Sequence, residues 1–281
     1  MGVELLDGIG WTVISLFASP ILWLAVLVSF LLSMRRVKRE RNLFRSRTRS
    51  KRTDLFETLV PGFVVGLVLS VISVSLTLTV STEFLIAFMV LTFLILLTGV
   101  IRFNLPLGPL VLLAGVTWFM TGDRVDSLRD VTVSDWLLLA ALSLGAELVL
   151  LIWRGKKNLS PSLVLSKRGR YIGGLSSNKL WLIPLVVFVP GSSLETLIPQ
   201  WSFPEFVPIV LFLPIGFSFL FTGQLPDQLI RPLIQGRLLT FVLSVVLAAG
   251  AFLTGQAVWL YGLPVLLIVH LILHQRIKRL N

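Results

Sequence analysis

Glu147 stands in the middle of an apolar run, where an ionisable side chain could do chemistry inside a membrane. Burying a carboxylate near the centre of a membrane helix costs about 2.5–3.5 kcal/mol on insertion scales, so such a residue is a functional candidate by default. The same run carries the small residues Ala140, Ser143 and Gly145, which suit close helix packing. A proton relay normally needs several intramembrane titratable groups, and the sequence indicates no second one at the depth of Glu147. Interhelical hydrogen bonding and an ion or proton role both stay open for this residue.

A basic segment that begins at Arg35 is the second candidate site. Its candidate lipid- and partner-binding residues are Arg35, Arg36, Lys38, Arg39, Arg41 and Phe44. The simplest interpretation is that the segment only fixes the orientation of a membrane helix. The alternative is a helix along the cytoplasmic face, in which Phe44 dips into the interface and the basic residues contact anionic lipid headgroups, each contributing about 1 kcal/mol. An acidic protein partner would be bound equally well by these charges.

Lys167, Arg168 and Arg170 belong to a second basic segment, which has seven basic residues and no acidic residue between positions 154 and 179. Its glycines resemble those of a phosphate-binding loop, but the pattern GxxxxGK[ST] is absent, and we therefore reject nucleotide binding here. Membrane orientation is again the simplest role, and contact with an anionic partner is the alternative.

The composition excludes several classes of function. The chain has no cysteine, which excludes disulfides, thiolate nucleophiles and iron–sulfur clusters. His270 and His274 are its only histidines, too few for an HExxH site or a three-histidine metal centre. GxSxG and paired intramembrane aspartates are also missing. We therefore predict no enzymatic activity, no cofactor and no metal site.

The net charge of +11 is concentrated in short segments between apolar runs, which is typical of membrane orientation rather than of nucleic-acid binding. With 55% hydrophobic and 14% charged residues, the chain carries apolar runs of transmembrane length from end to end. These runs predict an all-α protein, a polytopic transmembrane bundle of about nine helices in a single domain over residues 1–281. The predicted helices are Trp11–Leu32, Thr58–Val80, Phe84–Ile101, Leu105–Met120, Trp136–Trp153, Leu180–Leu197, Pro204–Phe221, Leu238–Leu253 and Ala257–Leu273. Basic loops 34–57 and 154–179 connect them, and a short basic tail, 274–281, ends the chain.

The charges predict the orientation of this bundle. If residues 34–57 are cytoplasmic, the alternation of nine helices places every Lys and Arg except Arg124 and Arg129 in the cytoplasm. An excess of Lys and Arg marks the cytoplasmic loops of membrane proteins. We therefore predict an N-terminus outside and a C-terminus inside the cell.

Four prolines, at positions 184, 190, 208 and 214, interrupt the sixth and seventh predicted helices. Discontinuous membrane helices can line a binding cavity, as in secondary transporters. Prolines are also common in ordinary membrane helices. Together with Glu147, these prolines support an alternative function as a secondary transporter or permease subunit.

The segment Met34-Arg35-Arg36-Val37-Lys38-Arg39-Glu40-Arg41-Asn42-Leu43-Phe44 directly follows the first predicted helix. It resembles the R-V-K-R-E-R-x-x-F stretch that follows the first helix of MinJ-type cell-division topological determinants of Gram-positive bacteria. Gly169-Arg170-Tyr171-Ile172-Gly173, running into Leu180-Trp181-Leu182-Ile183-Pro184, is similar to the second basic loop and following helix of that family.

The resemblance implies a membrane scaffold at the division septum and the cell poles. MinJ-type proteins link the curvature-sensing protein DivIVA to the division inhibitor MinD, and a cytoplasmic PDZ domain follows their membrane region. Because this chain ends at Asn281, eight residues past the last predicted helix, we expect no PDZ domain here. The first hypothesis is a multi-pass scaffold of the cell membrane that recruits DivIVA-like and MinD-like proteins through its basic loops.

Overall fold

A computed structural model describes residues 2–44, 51–98, 105–119, 133–157, 159–165, 169, 171–197, 203–222 and 226–279. Its helices are α1 (Gly2–Ala18), α2 (Pro20–Phe44), α3 (Lys51–Ser75), α4 (Thr82–Leu97), α5 (Leu107–Phe119), α6 (Val133–Arg154), α7 (Gly191–Leu197), α8 (Pro226–Thr254) and α9 (Gly262–Arg279). A 3-10 turn, Ala257–Tyr261, precedes α9, and the strands are β1 (Ser160–Leu165), β2 (Tyr171–Pro190) and β3 (Phe206–Phe221). Among the described residues, five helices are long and apolar enough to cross a membrane: α2, α3, α6, α8, and α9 with the turn before it.

The sheet is the main departure from the predicted all-α bundle. The segments Leu180–Leu197 and Pro204–Phe221, predicted as the sixth and seventh helices, form most of β2, the short helix α7 and β3. β2 and β3 pair antiparallel over their length, and β1 pairs with the first part of β2. The helix prediction was wrong because both faces of these strands are buried. Their sequence is therefore a continuous apolar run, without the alternation that marks a half-exposed strand.

Helix α3 covers the edge of β2 that β1 leaves free, and two glycines bring it there. A Cβ at Gly62 would overlap the backbone of Leu182, and a Cβ at Gly66 would overlap the ring and carbonyl of Pro184. Small residues of this kind allow close backbone approach in membrane proteins. The helix therefore lies directly on the strand edge.

Further along α3, two serines bond the same edge of β2. Ser70 Oγ donates to the carbonyl of Pro184 (3.3 Å) and accepts from the N–H of Val186 (3.1 Å). Ser73 Oγ donates to the carbonyl of Val186 (2.7 Å). An open sheet edge cannot face lipid, because its backbone groups would lack hydrogen bonds. The two hydroxyls supply those bonds from a neighbouring helix.

Helix α1 covers the outer edge of β3 in a similar way. Ser15 Oγ accepts from the N–H of Val210 (3.0 Å), and Thr12 Oγ1 donates to the carbonyl of Pro208 (3.5 Å). The hairpin of β2 and β3 is thus bonded by side-chain hydroxyls along both edges.

The prolines predicted to break two helices lie on this hairpin, which corrects their interpretation. Val186 and Val210 face each other across the pair and direct their N–H groups outward, to Ser70 and Ser15. Positions two residues apart share that direction. The same outward direction applies to Pro184, Pro190, Pro208 and Pro214. The N–H that proline lacks would point away from the partner strand at these positions, so no hydrogen bond of the β2–β3 pair is lost.

The first predicted helix, Trp11–Leu32, consists of two helices that are separated at Ser19. The second of them, α2, extends past Met34 to Phe44, so the basic segment is helical up to that residue, and its position along the cytoplasmic face stays a prediction. Residues 45–50 of the predicted first loop lie outside the described residues. The predicted second loop, 154–179, is partly structured, because it contains β1 and the start of β2.

The hairpin defines two ends of the molecule. At its tip, Trp11 contacts Phe203 with ring centroids 5.2 Å apart, and the chain after α3 bonds the backbone of Phe188 through Leu78 and Val80. At its open end, where β2 begins and β3 ends, lie the C-terminal ends of α2, α6 and α9. Most basic side chains that the structure describes belong to these C-terminal ends, and Lys179 lies in the first half of β2.

Candidate functional site

The basic segment of α2 is a continuous helix with charged residues on two flanks. Arg35, Lys38, Arg39 and Arg41 have exposed side chains and make no hydrogen bond or ion pair with the described part of the chain. A helix turns 100° per residue, which places Lys38 and Arg41 on one flank and Arg35 and Arg39 on the other. These four guanidinium and ammonium groups are available to an anionic partner.

Arg36, in contrast, is half-buried and paired within the molecule. Its Nε lies 3.3 Å from Oε1 of Glu40, one turn further along α2. Glu40 is buried with 3% of its surface exposed, so this pair within α2 is shielded from solvent. Phe44 is the last residue of α2.

Of the second basic segment, Lys167, Arg168 and Arg170 lie outside the described residues. Lys179 lies within them, in β2, and is buried with 5% exposure. Its Nζ donates to the backbone carbonyls of Arg154 (2.6 Å) and Lys157, at the C-terminal end of α6. A cation at the carbonyl end of a helix is stabilised by the helix dipole. Lys179 therefore fastens the open end of the hairpin to α6 and has a structural role.

Glu147 has ionisable partners at its own depth, contrary to the sequence-based prediction. Arg237 Nε lies 2.8 Å from Glu147 Oε1, and His270 Nε2 lies 3.6 Å from Oε2. Arg237 also extends Nη1 to the carbonyl of His270 (3.4 Å) and Nη2 to Nδ1 of His274 (3.3 Å). We call these four residues the buried cluster.

Every member of the buried cluster is almost inaccessible, with exposures of 5% for Glu147, 4% for Arg237, 0% for His270 and 7% for His274. The Nε–H bond of Arg237 is not aligned with the carboxylate, so their contact is an ion pair rather than a directed hydrogen bond. Neither ring nitrogen of His270 has a hydrogen-bond partner among the described residues. A carboxylate and a guanidinium in contact neutralise each other, which makes the burial of both possible.

The buried cluster joins α6, α8 and α9, and His274 also packs against the ring of Phe219 in β3. Its members come from three separate segments of the chain. Arg237 was missed because it was predicted to end a loop, whereas α8 begins eleven residues earlier at Pro226. The i,i+4 spacing of His270 and His274 was the sequence pattern that could have indicated a shared helix face. Within the described segments, no three His, Asp or Glu side chains are placed to hold a metal ion.

Comparison with known proteins returns a cell-division protein. The chain is 28% identical over 246 residues to the cell division topological determinant MinJ of Bacillus subtilis (strain 168). The aligned region covers 82% of this chain and 60% of that protein, so the chain spans about three fifths of its relative. No family model and no solved structure matches. The comparison confirms the resemblance to MinJ-type proteins that the basic segment of α2 indicates.

Proposed function

We propose that this protein is a multi-pass membrane scaffold, not an enzyme, which recruits cytoplasmic division proteins to the septum or the cell pole. The observation that carries the proposal is the basic part of α2, a continuous helical extension of a membrane-crossing helix with four unpaired cations. Its position on a rigid helix suits a docking surface for acidic proteins, since fixed charges steer and orient a partner. Similarity to a named topological determinant of cell division supports the same function.

The proposal includes the orientation predicted from the charges, with the open end of the hairpin in the cytoplasm. The described basic residues of α2, α6 and β2 gather at that end. Acidic residues at the other end include Glu83, Asp135 and Glu205. A two-stranded hairpin brings the chain back to the side from which it started, as two helices would. The nine predicted crossings therefore keep their sidedness although two of them are strands.

The most direct test reverses the charges on one flank of α2. In Lys38→Glu with Arg41→Glu, a fluorescent fusion of the division protein that depends on this chain should lose its septal enrichment several-fold, because an acidic flank repels an acidic partner. The matched control is Arg231→Glu with Arg276→Glu, which makes the same change in net charge at exposed, unpaired positions of α8 and α9. Normal recruitment by the α2 variant, or equal loss in both variants, would contradict docking on α2.

Orientation is checked on the same proteins by single-cysteine labelling, because the natural chain has no cysteine. Ser192→Cys lies in α7 at the hairpin tip, and Lys156→Cys follows α6 at the open end; both positions are exposed. A membrane-impermeant maleimide should label Ser192→Cys in intact protoplasts and Lys156→Cys only after permeabilisation. The reverse pattern would invalidate the proposed orientation and with it the cytoplasmic docking surface.

A secondary transporter or permease subunit is the second candidate function. One of the two observations that favoured it, the proline-broken helices, no longer applies, because those prolines lie on strands. The buried cluster is the observation that still favours it, because intramembrane carboxylate and histidine groups occur in proton relays. Ion or proton flux in proteoliposomes that is abolished by Glu147→Gln would favour this function over the scaffold.

A further inference from the structure

A cavity of about 260 Å³ lies between the basic part of α2 and the open end of the sheet. On the α2 side it is lined by Arg35, Arg36 and Arg39, together with Leu32 and Glu40. Glu40 is paired with Arg36, so it neutralises one of the three guanidinium groups. Arg35 and Arg39 have no partner among the described residues and are one helical turn apart. The cavity therefore carries an uncompensated charge of about +2 from these two side chains.

The opposite wall consists of neutral hydrogen-bonding groups on a fixed frame. Ser160 and Ser176 face each other across the β1–β2 pair, and Asn178 lies two residues further along β2, beyond the first residue of β1. Ser176 Oγ donates to the carbonyl of Ser160 (3.4 Å), and Ser160 is itself buried. Two guanidinium groups facing hydroxyl and amide groups make a set of donors for an oxyanion, and arginine binds phosphate oxygens in a bidentate manner.

We propose that this cavity is a binding site for the phosphate-bearing headgroup of an anionic phospholipid. Leu32 belongs to the apolar part of α2, and the charged part begins three residues later at Arg35. The cavity thus lies at the level where lipid phosphates meet a membrane helix. Its volume is below the roughly 300–1,000 Å³ of sites for drug-sized ligands, which favours a headgroup over a nucleotide. The inference rests on the proposed orientation only in placing the site in the cytoplasmic leaflet.

Arg35 and Arg39 lie on a different flank of α2 from Lys38 and Arg41, the two cations that the docking test substitutes. Arg35 and Arg39 face the cavity, whereas Lys38 and Arg41 do not line it. Headgroup binding and protein docking can therefore be removed separately. A double substitution of the cavity arginines has a control with equal loss of charge on the same helix.

The test compares the full chain with Arg35→Gln/Arg39→Gln and Lys38→Gln/Arg41→Gln, each in lipid nanodiscs without any partner protein. Nanodiscs of phosphatidylcholine containing a minor fraction of phosphatidylglycerol are used, and the lipids that remain bound after detergent extraction are measured by native mass spectrometry. We expect phosphatidylglycerol to be retained by the natural chain and by the Lys38/Arg41 variant. The Arg35/Arg39 variant should lose it by about tenfold or more, because each charge-assisted hydrogen bond to phosphate is worth about one order of magnitude in affinity.

Equal losses in the two variants would show diffuse attraction of lipid to α2 and would overturn the site. A second measurement follows thermal unfolding in a neutral detergent with inorganic phosphate or with short-chain phosphatidylglycerol. Protection by phosphate as strong as that by the lipid would overturn the lipid assignment. Because neither measurement contains a division protein, failure of the headgroup site leaves the recruitment test with Lys38 and Arg41 unaffected, and the reverse is also true.

Discussion

Two interfaces hold the helices of this protein to its hairpin and to one another, and they are built from opposite chemistry. Where α3 meets β2, the contact consists of glycines without side chains and of neutral serine hydroxyls that bond the strand backbone. Where α6, α8 and α9 meet, the contact consists of a carboxylate, a guanidinium and two imidazoles. Both interfaces bury polar groups on helices that are long and apolar enough to cross a membrane.

The two interfaces differ in how much stability the protein loses when one polar group is removed. A hydroxyl can be removed at small cost, since hydrogen bonds between membrane helices average about 0.6 kcal/mol. A charge in the buried cluster cannot be removed alone, because its partner would remain buried and uncompensated. The glycines depend on neither effect, since their contribution is the space that they leave free. Three predictions test the contributions of the glycines, the buried charges and the hydroxyls separately.

Filling the space beside β2 should have one of the two largest effects. In Gly66→Ala the new methyl group would overlap the ring and carbonyl of Pro184, which the strand cannot move without breaking its pairing. We expect a loss of about 3 kcal/mol or more, observed as a collapse of the monodisperse fraction in size-exclusion chromatography. The control is Gly115→Ala in α5, where a Cβ would meet nothing within 4 Å. A stable Gly66→Ala protein would contradict the close approach of α3 to the sheet.

Removing one charge from the buried cluster should have an effect of similar size. Arg237→Leu leaves the Glu147 carboxylate without its ion-pair partner and should destabilise the protein by about 3–5 kcal/mol in equilibrium unfolding. Glu147→Leu combined with Arg237→Leu should recover most of that loss, because no buried charge is then left unpaired.

The control for this cycle is Arg231→Leu, an exposed and unpaired arginine earlier in α8, which should change stability little. A double variant that is less stable than Arg237→Leu alone would mean that the two residues are not coupled as an ion pair.

Removing one hydroxyl from the strand edge should have the smallest effect. Ser73→Ala loses the hydrogen bond to the carbonyl of Val186 and should lower stability by about 0.6 kcal/mol, measurable as a small fall in Tm. Ser75→Ala serves as the control, because its hydroxyl bonds only to the carbonyl of Val71 in its own helix and is exposed. If the two substitutions had equal effects, the hydroxyl of Ser73 would contribute nothing specific to the sheet edge.

The helices were predictable wherever apolar length and flanking charge agreed. The predicted helix Trp136–Trp153 corresponds to α6, and Thr58–Val80 overlaps most of α3. The strands were not predictable, because an apolar run that is buried on both faces has the same composition in a strand and in a helix. The prolines at alternating register positions were a local hint of strands, but proline also occurs in membrane helices.

For the candidate site, the sequence located Glu147 and the cations of α2 but not the contacts that define their roles. Glu147 was predicted to lack a partner at its depth, and the fold brings it Arg237 and His270 from two other helices. The cavity beside Arg35 also needs a second wall, which the sheet supplies from residues far along the chain.

By itself, the sequence determined that the chain contains several apolar segments of membrane-spanning length and where the basic residues lie between them, since both follow from local composition. Only the tertiary structure decided that two of these apolar segments form strands and that the buried carboxylate is paired. Both outcomes depend on groups contributed by distant segments: hydroxyls from α1 and α3 that bond the sheet edges, and a guanidinium from α8 that neutralises Glu147.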